Sequence, residues 1–165
     1  MNSGQMLLSA GALTLLMTVL LSFYRGSDYT QQAIVQTKLG ITAVSLATSV
    51  IEDASGQAFD ENTVAAADTS LTQLTAANHL GFETGESYPD SINDFDDYNN
   101  LTYTVSDTMG GTFTVKCAVC YVNPTSPDVA LSTQSWHKKL TVMVTAPQMR
   151  DTIKANYIFS YWYFR

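Results

Sequence analysis

MLLSAGALTLLMTVLLSFY, residues Met6–Tyr24, carries no charged side chain, and none precedes it; the first is Arg25. A helix of about twenty-four residues rises about 36 Å, against a bilayer core of roughly 30 Å. Residues 1–25 are therefore expected to form an apolar helix of membrane-spanning length. A cleaved secretory signal is the competing reading. It calls for a basic opening and a small-x-small site near the end of the apolar run. The opening is Met-Asn-Ser-Gly, and the run ends in Ser22-Phe23-Tyr24-Arg25. Neither requirement is met, so the helix is read as retained.

One face of this helix is small and weakly polar. Ala10, Thr14, Thr18 and Ser22 recur every four residues and so lie along one stripe, with Gly11 beside it. Small residues at this spacing let helices approach closely in an apolar medium. Gln5, Ala10, Gly11, Thr14, Thr18 and Ser22 are therefore the candidate helix–helix assembly residues. The alternative is a lone anchor whose Ser and Thr hydroxyls bond back to their own helix.

Working outward, the helix is expected to continue. YTQQAIVQTKLGITAVSLATSVIEDASG (Tyr29–Gly56) places Leu39, Ala43, Leu46, Val50 and Ala54 on one face, widened by Ala47 and Ile51. Residues 26–56 thus read as an amphipathic continuation, apolar on one side only, ended by Ser55-Gly56. Gly26 and Gly40 are sites where it would bend or loosen. The apolar side needs a sheet to lie on it.

Residues 101–165 supply that sheet. Leu101–Thr108, Thr112–Val122, Trp136–Ala146 and Thr152–Phe164 show β-rich composition or period-two alternation. Met109-Gly110-Gly111 is read as a hairpin turn and Asn123–Asp128 as the opening of a longer loop. An antiparallel meander follows. Residues 57–100 form a polar, acidic connector, with a short helix hinted at Ser70–Leu80. The expected fold class is α+β: a long N-terminal helix with a C-terminal antiparallel sheet on its second half.

That element order, with Met1, Gln5, Phe23 and Tyr24 in place, resembles the type IV pilin-like family, which includes pilus subunits and the pseudopilins of type II secretion. In that family a mature chain begins with an apolar residue, carries Glu at its fifth position and has an aromatic near position 24. Here Gln5 stands where the family has a carboxylate. A second alignment makes Gly4-Gln5 the processing junction of a short leader, which puts Ser9 at the fifth mature position. DFDDYNN (Asp94–Asn100) followed by LTYTV, and WHKKLTVMVTAP (Trp136–Pro147), are similar to minor pilins of the mannose-sensitive haemagglutinin type. The resemblance implies a structural subunit of a surface filament. Its partners would be copies of itself and an inner-membrane assembly machinery. It would lie in the bacterial inner membrane before assembly and in an extracellular filament after it. A type II secretion pseudopilin and a lone membrane-anchored periplasmic binding module are the alternatives.

Charge adds a second expectation. The net charge is −7, which disfavours nucleic acid as a partner. No Lys or Arg lies between Lys38 and Lys116, while twelve carboxylates do. Acidic Asp94, Asp96 and Asp97 of one subunit are paired here with Lys138 and Lys139 of another, as inter-subunit charges that set register. The competing reading is ordinary solvated loops and strand faces.

Other motifs are read as structural. Cys117-Ala118-Val119-Cys120 lies in a strand-like run, so its thiols point to opposite faces, about 10 Å apart at roughly 3.3 Å per residue. They are expected to be small core residues, without a disulfide. Asp90, Asn93, Asp94, Asp96, Asp97, Asn99 and Asn100 offer calcium-type oxygens, but the EF-hand pattern fails and Asp and Asn are common caps. The aromatic run Tyr157–Phe164 is read as core and inter-subunit packing. With two Cys and two His and no phosphate loop or nucleophile elbow, the expectation is no enzyme, catalytic residue, cofactor or metal.

Overall fold

The computed structural model describes residues 2–65, 67, 70–106 and 111–161. The chain divides into two compact units, Met1–Leu39 and Gly40–Arg165. The boundary falls at Leu39/Gly40 and not at Arg25/Gly26, because residues 26–35 bury nothing.

One helix, α1 (Ser3–Ser55), spans all of the first unit and enters the second. Its hydrogen bonding runs through both Gly26 and Gly40, so neither breaks it. From Ser3 to Tyr24 it carries no charge and is exposed; an 18-residue window reaches a mean hydropathy of 2.1 with none of it buried. This is long and apolar enough to cross a membrane.

In the second unit, Ala43, Ala47, Val50 and Ala54 of α1 are buried, as the sequence stripe predicts. Leu39, Leu46 and Ile51 flank them half-buried. The sheet has five strands: β1 (Thr102–Ser106), β2 (Thr112–Asn123), β3 (Ser126–Leu131), β4 (His137–Thr145) and β5 (Ile153–Ser160). All of its pairings are antiparallel. The order is β1-β2-β4-β5, with β3 also paired to β2.

This departs from the expected four-strand meander in one respect. Tyr121 of β2 pairs with Lys138 of β4 and with Leu131 of β3, so β3 shares the β2 edge that β1 occupies further back. Pro127 hides this strand in the sequence, because proline is tolerated only at edges and bulges. The pairing register does shift at Val122/Asn123. The hairpin turn expected at Met109-Gly110-Gly111 lies largely outside the described residues, as do Trp162–Phe164 of the aromatic run.

Alternation decides the core. Phe113, Val115, Cys117, Val119 and Tyr121 of β2 are buried, as are Leu140, Val142 and Val144 of β4. The connector joins this core instead of lying loose on the surface. Phe59, Leu74, Leu80, Phe95 and Tyr98 are buried in it. It contains a short helix, α2 (Glu61–Val64), and 3-10 turns at Leu71–Gln73 and Asp96–Tyr98. Its two ends are zipped together: Ala58 N donates to Asn93 O (3.3 Å) and Phe95 N to Ala58 O (2.9 Å).

Candidate functional site

Two features of the chain stand out chemically: the exposed apolar surface of the first unit and a buried ionic centre in the second.

In the first unit, Gln5, Ala10, Gly11, Thr14, Thr18 and Ser22 are all exposed. Large apolar side chains surround them, with Leu7 75 % and Phe23 74 % exposed. Thr14 Oγ1 donates to Gly11 O (2.9 Å) and Thr18 Oγ1 to Leu15 O (2.8 Å). These hydroxyls are satisfied within their own helix, as a helix in an apolar medium requires. Van der Waals contact between small residues would be their role in association. Gly4 and Gln5 lie in the first turns of the helix, where Gln5 N donates to Asn2 O (2.8 Å).

The inter-subunit charge expectation is overturned at four of its five residues. Lys138, Asp94, Asp96 and Asp97 are all 0 % exposed within one subunit, so they present no charge to another. The reason is local. The alternation that buries Leu140 and Val142 also puts Lys138 on the core face of β4. Its ammonium donates to Phe59 O (2.8 Å), Asp60 Oδ2 (2.8 Å) and Asp96 Oδ1. Three donors meet three acceptors, which leaves the buried cation fully satisfied. It also lies over the Phe59 ring, 4.7 Å from the centroid. Lys139, next along, points the other way. It is half-buried, donates to Pro127 O (2.7 Å) and lies 3.8 Å from exposed Asp128.

Asp60 is the hub of the ionic centre. Besides Lys138 it accepts from Thr75 N (3.0 Å to Oδ2), Thr75 Oγ1 (3.0 Å to Oδ1) and Asn62 N (3.2 Å). Tyr121 OH lies 3.2 Å from its Oδ2 and 2.8 Å from Thr75 O. Burial pushes its pKa up, but the Lys138 charge and these bonds outweigh burial and hold the carboxyl below its ordinary range. Asp94, Asp96 and Asp97 form a capped turn. Asp97 N donates to Asp94 Oδ1 (3.0 Å), and Asn93 N donates back to Asp97 Oδ2 (3.0 Å). Burial, then the charge of Asp96, pushes Asp94 up to about 9. At neutral pH it keeps its proton.

Asn99 is a structural tie. Val119 N donates to its Oδ1 (3.0 Å), and its Nδ2 donates to Leu80 O (2.9 Å). Cys117 is buried and Cys120 half-buried, both as free thiols, as their opposite strand faces require. Burial pushes the Cys117 thiol up to about 12. Phe95 and Phe159 meet edge-on at 5.2 Å, and Trp136 stacks on Tyr161 at 5.4 Å. The aromatics of β5 thus pack against the connector within the unit.

Sequence reading missed Asp60 and the Lys138 centre it anchors. The signal was present for Lys138, which shares the parity of Trp136, Leu140, Val142 and Val144. Asp60 has no such signal, because its neighbours are irregular. No protein-family model matches the chain, nor does any curated protein or solved structure.

Proposed function

We propose that the chain is a structural, pilin-like subunit that polymerises through the apolar part of α1 into an extracellular surface filament. The observation that carries this reading is the first unit: a membrane-length apolar helix with none of its best window buried. An uncovered surface of this size calls for lipid or other protein. Before assembly the helix would lie in the inner membrane, delivered onward by a separate assembly machinery. In the filament it would exchange lipid contacts for contacts with copies of itself, with the small stripe Ala10–Ser22 as the seam. The second unit, with its own core, would form the outer surface. The reading assigns no catalysis and no nucleic-acid partner.

A second reading, a lone membrane anchor carrying a periplasmic binding module, is favoured by one observation. The Thr14 and Thr18 hydroxyls are satisfied without a partner helix. Shearing cells and imaging the released material, with peptide identification that includes residues 2–25, separates the two. Fibres containing those residues are the expected result. Recovery in the membrane fraction alone would sink the filament reading. Replacing Gly11 and Thr14 together with Leu should abolish fibres while leaving membrane insertion intact.

A further inference from the structure

A second acidic cluster lies away from the Lys138 centre. Glu61, Glu83 and Glu86 each offer a carboxylate oxygen, and these oxygens lie within 4.8 Å of one another. Glu86 is held in place on both sides: Glu83 N donates to its Oε2 (3.1 Å) and Asn93 Nδ2 to its Oε1 (2.8 Å). Asp97 stands behind it, with its charge and side chain interacting with Glu86.

The cluster lacks donors. Glu61 Oε2, Glu83 Oε2, Asn93 Oδ1 and Asp97 Oδ1 are buried atoms without a hydrogen-bond partner. Asp97 is the most telling of these. Its side chain is fully buried, its Oδ2 is taken by backbone N–H groups, and its Oδ1 has no donor, while the side chain as a whole interacts with the Glu86 carboxyl. The buried cation does not serve here, because the three donors of Lys138 all go to Phe59, Asp60 and Asp96. Buried acceptors without donors are costly, and like charges at this separation repel.

A hard divalent cation answers both deficits. Ligands on opposite sides of a calcium ion stand about 4.6–5.2 Å apart at about 2.3–2.6 Å each, so the three oxygens fit around one ion. Their irregular arrangement suits calcium, which accepts flexible geometry, better than magnesium, which demands a near-ideal octahedron and keeps its waters. We propose that Glu61, Glu83 and Glu86, supported by Asp97 and Asn93, form a calcium site that clamps α2 to the 83–97 stretch of the connector. Waters complete the shell. The site stands whether or not the chain polymerises.

A proton shared between Glu83 and Glu86 is the competing way to relieve the repulsion, and a saturable calcium response distinguishes the two. The test uses the full chain in detergent, stripped with chelator and held at pH 8. Calorimetric and thermal-melting titrations with calcium chloride are compared with magnesium chloride at matched ionic strength. Calcium should give saturable heat and a raised melting temperature, with a Kd of about 10⁻⁴–10⁻³ M, the range of extracellular calcium modules. Magnesium should bind at least tenfold more weakly. Glu83→Gln and Glu86→Gln should each cut calcium affinity at least tenfold, while Glu52→Gln, on the exposed side of α1, leaves it unchanged. No saturable calcium response in the wild-type chain overturns the site, and this titration decides even where a variant fails to fold. An equal response to magnesium, or unchanged calcium affinity in both Gln variants, overturns it as well.

Discussion

Lys138 shows how one residue can reverse its expected role. Read as a surface cation, it should tolerate charge reversal. Buried against Asp60 and Asp96, it should not. Removing one partner of a buried pair leaves the other charge stranded, at a cost of about 3–5 kcal/mol. Lys138→Met should therefore destabilise the chain by that order, read from chemical denaturation. Lys139→Gln, whose acidic neighbour is exposed, should change stability by about 1 kcal/mol or less. Equal effects of the two changes would refute the buried centre. Titration follows from the same neighbourhood. Burial first, then neighbouring carboxylates, pushes Asp97 up to about 6 and Glu83 up to about 7. A raised carboxyl stabilises the fold below its unfolded pKa of about 4 and loses that contribution as pH rises through the folded value. Asp60 is depressed, so its contribution is present above about pH 4 and lost below it. In chelator the melting temperature should peak near pH 4–5 and fall toward pH 8, and saturating calcium should flatten that fall. A midpoint that climbs steadily from pH 5 to pH 8 in chelator would contradict these shifts.

At the scale of elements, α1 and strands β1, β2, β4 and β5 were legible because their periods are clean. The stripe Ala43–Ala54 has helical spacing, and β2 and β4 alternate over most of their length. β3 was not legible, because Pro127 and Asp128 read as turn residues and its pairing with β2 is short. The connector was misread for a different reason. Its order comes from single long-range ties, which leave no periodic trace. Asn99 is one: its amide fills the stretch of the β2 edge between β1 and β3, where Leu101 O also accepts from Cys117 N (2.9 Å). Asn99→Ala would leave Val119 N and Leu80 O unpaired, at a cost of about 1–3 kcal/mol. Hydrogen exchange at Val119 N–H, compared with the wild type, is the direct check. Undiminished protection there would show that Asn99 is dispensable.

The whole molecule divides its chemistry between two units. The first offers apolar surface with no core of its own, and the second holds the core. A chain reduced to residues 40–165 should therefore remain folded and monomeric without detergent, by circular dichroism and sedimentation. The full chain should need detergent or lipid to stay dispersed. A reduced chain that associates as strongly as the full one would shift the self-contact to the sheet unit. The apolar segment was plain from the sequence because lack of charge over a bilayer's length needs no tertiary information. The carboxylate clusters were visible as composition but not as sites, since which oxygens lack donors depends on the folded backbone.

The ammonium of Lys138 also ties strand β4 to the start and end of the connector through Phe59, Asp60 and Asp96. The connector cannot peel away alone without abandoning a bare charge in oil. Protease cuts between residues 70 and 100 should thus be rate-limited by opening of the entire sheet unit, making that acidic stretch far tougher to digest than its polarity suggests.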